Sequence, residues 1–343
     1  MKILLASDQF VTGDVMRSAL EQEGVQAETT NIASSWPVPP FEDIGDVREA
    51  SGNEEELIEA LRGCDIAMSH TFPFTRKVIE SSPELKLIAI GRGGPVNVNI
   101  EAATDNGVIV TYAPGRNAIA TAEHSLAMIL AATRQIAQRD AEVKAGHWGS
   151  DFYIYDKVSP EIARSTVGVF GLGAIGKRVA RALIALDANV IAYDPFVERA
   201  DVEEIELVDD LEEFFSRSNI LTLHARATED NKHIVNAGAL AKMPEGAILV
   251  NCARGSLVDY DAVCDALESG KLFAAAFDTL PEEPLPHDHR LRSFGNVTIT
   301  PHLGGASKGA AQLAARINAA DIAAFAAGQR PTYVTNPEVL KDK

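Results

Sequence analysis

The chain of 343 residues carries a formal net charge of −18 at pH 7, from 31 Lys and Arg against 49 Asp and Glu. So acidic a surface repels phosphates, which argues against nucleic acid and anionic membrane as partners. Cys64, Cys252 and Cys264 are too few and too scattered for a disulfide framework, the apolar run Ile3 to Ala6 is too short for a signal peptide, and no window approaches about eighteen apolar residues, so a reducing cytoplasm is the expected compartment.

The length suits about two domains with a sizeable core. Residues 1–117 alternate strand-like runs, Lys2 to Ala6, Leu85 to Ile90 and Val108 to Thr111, with helical segments such as Glu54 to Leu61, the pattern of an α/β unit. A long helical stretch, Ala118 to Val143, leads out of it, and its first part, Ala118 to Ala132, is apolar on most faces. A second α/β unit follows, with strand-like runs at Thr166 to Phe170, Asn189 to Tyr193, Asn219 to Leu223, Ala247 to Asn251, Ala274 to Asp278 and Val297 to Thr300. A helix from Ser307 to about Phe325 carries the chain back. The expected domains are therefore 1–117 with 306–343, and 118–305.

The run ending at Phe170 enters Gly171-Leu-Gly173-Ala-Ile-Gly176, after which Ile175, Val179, Leu183 and Leu186 recur at helical spacing. A lone G-x-G-x-x-G is weak; between a strand and a helix it is a dinucleotide fingerprint. The first glycine permits the tight turn, the second lets pyrophosphate approach the backbone, and the third brings helix against strand. The helix N-terminus then offers free N–H groups and a positive dipole end. Asp194 closes the next strand, about twenty residues on, where an acid hydrogen-bonds the ribose hydroxyls and repels a 2′-phosphate; NAD is expected over NADP.

Downstream, Asn251-Cys-Ala-Arg254-Gly255 (with Asp259 beyond), Asp278-Thr-Leu-Pro-Glu-Glu283-Pro284 and Pro301-His302-Leu-Gly304-Gly305 supply an arginine, a carboxylate and a histidine. Hydride delivery to C2 of a 2-keto acid builds charge on the carbonyl oxygen, and His302 can donate the proton near neutral pH. Glu283 on the other ring nitrogen would orient the imidazole and raise its pKa. The planar fork of Arg254 would hold a carboxylate and polarise the carbonyl. Singly these are an ordinary surface arginine, loop acid and turn histidine; together, behind a nucleotide fingerprint, they read as an active site. His287-Asp-His289 lacks a third ligand, so no metal is expected. His124, midway along an apolar helical stretch, reads as a packing or interface histidine.

These motifs, with Pro114-Gly-Arg-Asn-Ala118, Glu123-His124 and Gly146-His-Trp148, resemble the D-2-hydroxyacid dehydrogenases, a family that includes phosphoglycerate, glycerate and D-lactate dehydrogenases. The likeness runs over nearly the whole chain and is densest from Gly91 to Gly305. It implies an α/β fold of two Rossmann-like domains, a discontinuous flavodoxin-like substrate domain and a doubly wound NAD-binding domain, with the active site in the cleft between them. It implies NAD-dependent interconversion of a D-2-hydroxy acid and its 2-keto acid, glycerate, hydroxypyruvate or phosphoglycerate being candidates. Arg254, Glu283 and His302 would be the catalytic three. Gly171, Gly173, Ala174, Ile175, Gly176, Asp194, His224, Cys252, Ala253, Arg254, Asp278, His302 and Gly304 would line the dinucleotide, with Asp278 meeting the nicotinamide carboxamide. His70, Arg92, Gly93 and Gly94 would join Arg254 and His302 around the substrate. The region Ala118 to Ala132 pairs two subunits in the family, which implies a homodimer.

Some positions depart from the family pattern. The loop Gly91-Arg-Gly-Gly-Pro95-Val-Asn97-Val-Asn99 is shorter and less acidic, so that Asn97 and Asn99 either serve a hydroxylated substrate or cap the following helix. Ser35-Trp36-Pro-Val-Pro-Pro40-Phe41 forms a rim over the cleft or a surface loop. Arg226 stands where the family has proline, on the adenosine side, and weakens the case against NADP without outweighing Asp194. Two other readings compete. One is an NAD(H)-sensing corepressor of the same fold, disfavoured by the acidic charge. The other is a formate dehydrogenase-like reaction, which places glutamine where Glu283 stands.

Overall fold

The computed structural model describes residues 1–36, 42–198 and 205–340; Pro37 to Phe41 of the Trp-Pro run lie outside the described residues. The chain divides into two compact units, Met1–Asn117 with Ala306–Lys343, and Ala118–Gly305.

In the first unit β1 (Lys2–Ser7), α1 (Gly13–Gln22) and β2 (Glu28–Ala33) precede a small antiparallel hairpin, β3 (Glu42–Ile44) with β4 (Val47–Ala50). Then come α2 (Glu54–Leu61), β5 (Ile66–Ser69), α3 (Arg76–Glu80), β6 (Leu87–Ile90), α4 (Ile100–Asp105) and β7 (Ile109–Tyr112). The five parallel strands lie in the order β2-β1-β5-β6-β7, a flavodoxin-like arrangement. β1, β5 and β6 are buried on both faces, which is why they read as continuous apolar runs without alternation. One face is covered by α1 and by the returning helix α11 (Lys308–Ala326), whose Ala311, Ala315, Ala319 and Ile322 share a core with Met16 and Leu20. Ser307 caps that helix, its hydroxyl accepting from Ala310 N.

The second unit opens on α5 (Ala118–Arg134) and α6 (Ile136–Lys144). The sequence suggests one helix here, but Gln135 at φ 51° takes a left-handed conformation and breaks it. β8 (Thr166–Phe170), α7 (Gly176–Ile184), β9 (Asn189–Tyr193), β10 (Glu206–Leu207), α8 (Leu211–Arg217), β11 (Ile220–Leu223) and α9 (Ala237–Lys242) follow. The unit continues with β12 (Ala247–Asn251), α10 (Tyr260–Glu268), β13 (Leu272–Phe277) and β14 (Val297–Ile299). α7 ends before Leu186, which is 46% exposed, so the apolar repeat stops one position short of that read from the sequence. The seven parallel strands run β10-β9-β8-β11-β12-β13-β14, a doubly wound order that reverses between β8 and β11.

Register sets the functional edge. Phe170 pairs with Tyr193 and Leu223, Leu223 with Asn251, Asn251 with Phe277, and Phe277 with Ile299. The residues that immediately follow this level row are Asp194, Gly171, His224, Cys252, Asp278 and Thr300, at the carboxyl ends of the strands where open α/β sheets bind ligands.

Candidate active site

At the reversal point the glycine turn can be tested for a dinucleotide. Gly171 has φ +95°, and a Cβ there would meet Ala225 N at 2.7 Å. A Cβ on Gly176 would lie 1.9 Å from Gly171 O, so only glycine lets α7 start this close to the turn. Around Gly173 nothing lies within 4 Å of a would-be Cβ, which leaves the backbone open to a phosphate. Asp194 is fixed beside it: Oδ2 accepts from Leu172 N at 2.7 Å and Oδ1 from Phe196 N at 2.9 Å. These residues fit NAD. His224 packs on the turn and shares a 2.9 Å hydrogen bond with Thr222 Oγ1; burial pushes its pKa down to about 3, so its ring is neutral.

The arginine segment leaves β12 through Asn251, whose side chain accepts from Ala253 N at 2.9 Å and donates to Arg254 O at 2.9 Å. Gly255 lets this turn lie directly on the acid segment, since a Cβ there would meet Leu280 O at 1.9 Å. Arg254 itself is exposed, with Nη1 donating to Ala253 O. Glu283 is anchored through Oε1, which accepts from Leu280 N at 3.0 Å, and its Oε2 lies 2.8 Å from His302 Nδ1. The hydrogen bond to Glu283 outweighs burial and holds the His302 pKa above its ordinary value. Burial acts to raise Glu283, but the bonds from His302 and Leu280 N–H prevail and hold it below the usual range. With Nδ1 committed to the acid, Nε2 is the atom left to exchange a proton.

His302 sits at φ +52°, a left-handed backbone that a non-glycine residue adopts only when its surroundings impose it. Asp278, 1% exposed, supplies that constraint. Its backbone oxygen accepts from His302 N at 2.9 Å. Oδ1 accepts from Thr300 Oγ1 at 2.6 Å and Leu303 N at 2.9 Å, and Oδ2 from Gly304 N at 2.8 Å. His124 Nε2, 3.1 Å from Thr300 Oγ1 and 3.3 Å from Asp278 Oδ1, completes the knot. His124 is thus more than the packing histidine read from sequence, and Thr300 was not singled out there at all. Cys252, 6% exposed with its thiol pushed up to about 12 by burial, is no nucleophile.

The D-isomer specific 2-hydroxyacid dehydrogenase NAD-binding domain matches residues 126–304. The D-3-phosphoglycerate dehydrogenase of Methanocaldococcus jannaschii is 38% identical over 308 residues, 88% of this chain and 58% of that one. The glyoxylate reductase of Thermofilum pendens is 35% identical over 294 residues, 84% of this chain and 86% of that one.

The chain belongs to the D-isomer specific 2-hydroxyacid dehydrogenase family.

It spans about half the length of the phosphoglycerate dehydrogenases it matches, 58% and 53% of the first two. The TT0316 protein of Thermus thermophilus has the same fold, with TM-score 0.78 and 27% identity over 98% of this chain and 100% of that one. The family's NAD-binding domain is the unit that holds Arg254, Glu283 and His302. The other sequence-derived candidates, His70, Arg92, Gly93 and Gly94, lie in the first unit of this family member. Gly93 and Gly94 are exposed and their N–H groups carry no hydrogen bond among the described residues. Arg92 is held by the backbone oxygen and carboxylate of Glu49. Asn99 caps α4 through Ala102 N at 2.8 Å, and Asn97, fully buried, donates to His70 O and Phe72 O. The capping alternative holds for Asn99, whose Nδ2 is also taken by Asp46, while Asn97 Oδ1 is buried without a hydrogen-bond partner among the described residues. His70 is bound to Asp8 at 2.6 Å, a partner with no motif to announce it. Trp36 meets Phe10 edge-on, with ring centroids 6.1 Å apart.

Proposed function

We propose that this protein interconverts a D-2-hydroxy acid and its 2-keto acid, with unit 118–305 holding NAD and unit 1–117 with 306–343 contributing the substrate domain. The observation that carries the reading is the His302–Glu283 contact at 2.8 Å, on the same sheet edge as the glycine turn and the Arg254 segment. Bound NADH supplies the hydride to C2. His302, kept protonated by Glu283, gives its Nε2 proton to the carbonyl oxygen as charge develops there; in the other direction the neutral ring takes it back. Arg254 pairs with the substrate carboxylate through its fork, and the free N–H groups of Gly93 and Gly94 in the first unit are of the kind that suits an anion. Asp194 receives the ribose hydroxyls, Asp278 keeps a lone pair on Oδ2 for the carboxamide, and Gly171, Gly173 and Gly176 with Ala174, Ile175, His224, Cys252 and Ala253 complete the wall.

The free, buried thiols of Cys64, Cys252 and Cys264 fit a reducing cytoplasm. Among the described residues no helix is long and apolar enough to cross a membrane. A homodimer is supported by the exposure of Ile119 (53%), Trp148 (87%), Tyr153 (96%) and Tyr155 (88%) on α5 and just beyond α6, large side chains that a second copy would cover; sedimentation gives the mass. A panel of 2-keto acids with NADH and NADPH, read by absorbance, tests the activity. NADH should be preferred and the D-isomers of the product alcohols oxidised. Preference for NADPH would remove the Asp194 assignment, and oxidation of L-isomers would remove the reading itself.

A further inference from the structure

Within the first unit, Asp8, 4% exposed, has every acceptor position filled. Oδ1 takes Phe10 N and Val11 N, each at 2.8 Å, and Oδ2 takes His70 Nδ1 at 2.6 Å and Thr71 Oγ1 at 3.0 Å. That fixes the His70 tautomer. Nδ1 carries the proton toward Asp8, and the Nε2 lone pair faces Arg116 Nη2 at 3.4 Å. The guanidinium is therefore steered by a neutral ring instead of being neutralised by a carboxylate. Among the described residues Arg116 has no ion pair, and its buried Nη1 has no hydrogen-bond partner. Its surroundings are unfavourable to a cation. Burial, then the like charge of Arg92, lower its pKa to about 10; the weaker pull of Asp8 and the ring of Phe10, whose centroid lies 5.8 Å from the guanidinium, act the other way.

A cation drawn partly out of water without a direct ion pair, with a second guanidinium in electrostatic reach, is a costly arrangement that a bound anion relieves. We propose that Arg116, oriented by the Asp8–His70 pair, forms a subsite for a second anionic group on the substrate, a phosphate monoester or a terminal carboxylate. This rests on the reading of the protein as a 2-keto acid reductase, in which Arg254 takes the carboxylate next to the carbonyl. The planar fork of Arg116 suits either oxyanion, and lysine would keep the charge without the fork.

Kinetics with hydroxypyruvate, its phosphate ester and oxaloacetate test the subsite. Arg116→Gln should raise KM for the doubly charged acid roughly 10- to 100-fold more than KM for hydroxypyruvate, as expected for loss of a hydrogen-bonded charge. Arg116→Lys should recover part of the loss. Selective loss with the phosphate ester identifies phosphate as the group, and selective loss with oxaloacetate a carboxylate. Equal changes for all three acids overturn the subsite. A binding readout independent of turnover uses inorganic phosphate alone: it should raise the Tm of the wild type more than that of Arg116→Gln, in which the glycine turn at Gly173 is still open to phosphate. Equal stabilisation of both, or of neither, also overturns it. Wild-type protein that reduces none of the acids would sink the proposed function and leave the phosphate measurement to judge Arg116.

Discussion

Two histidine–carboxylate pairs, one in each unit, have nearly the same geometry and opposite chemistry. His302 Nδ1 is 2.8 Å from Glu283, and His70 Nδ1 is 2.6 Å from Asp8. The side chains of the first pair are 47% and 35% exposed, those of the second 5% and 1%. For His302 the hydrogen bond to the acid outweighs burial and the pKa rises; for His70 burial outweighs Asp8 and the pKa falls. A neighbouring carboxylate does not by itself make a histidine an acid; the water left around the ring decides whether the charge can be kept. One imidazole can therefore donate a proton near neutrality, while the other is a neutral strut offering a lone pair.

Mutation of the rings should separate the two most sharply. His302→Ala is expected to lower kcat for keto-acid reduction about 10²- to 10⁴-fold, the usual loss of general acid catalysis, whereas His70→Ala should act mainly on KM. A kcat loss of the same size in both would end the distinction. Next in size is stability. Asp8→Asn removes the charge from four buried hydrogen bonds and should cost about 2 to 3 kcal/mol in urea unfolding. Glu283→Gln, on a half-exposed pair, should cost at most about 1 kcal/mol; the reverse order would misplace the structural pair.

Gly304→Ala probes the support under His302, because its Cβ would lie 2.8 Å from Asp278 Oδ2 and 3.3 Å from His124 Cδ2. Overpacking there should cost about 1 to 3 kcal/mol and lower kcat by displacing the histidine turn. Unchanged kcat would show that Asp278 does not position His302.

The smallest effect is the pH dependence of stability, at most about 1.4 kcal/mol per pKa unit. His70, with its pKa lowered on folding, withholds stability as pH falls below the unfolded value of 6.5, since the unfolded chain then binds the proton first. His302, with its pKa raised, contributes stability fully below 6.5 and loses it as pH rises through its folded pKa. Replacing each histidine by glutamine should flatten the opposite flank of the unfolding free energy; both substitutions flattening the same flank would contradict the assignment.

The glycine turn was legible because strand, turn, helix and the acid closing the next strand are each written in local sequence. Arg254, Glu283 and His302 were legible as residue types, but their meeting depends on the register that levels Asn251, Phe277 and Ile299, which no single segment encodes. The Asp8–His70 pair spans 62 residues with no motif, and His124 reaches Thr300 across 176. The break at Gln135 escaped notice because helical sequence flanks it on both sides, and only a left-handed backbone at one residue divides α5 from α6.

The pH profile of kcat/KM for keto-acid reduction, measured for the wild type and Glu283→Gln, is the most direct test of the proposed proton donor. Reduction requires the protonated ring, so activity falls as pH rises through the His302 pKa, which Glu283 holds above its ordinary value. Glu283→Gln keeps the shape and removes the charge; the ring then loses its proton sooner, and the alkaline limb should move to lower pH. An alkaline limb that stays in place would contradict the account and leave Glu283 a structural acid of its loop.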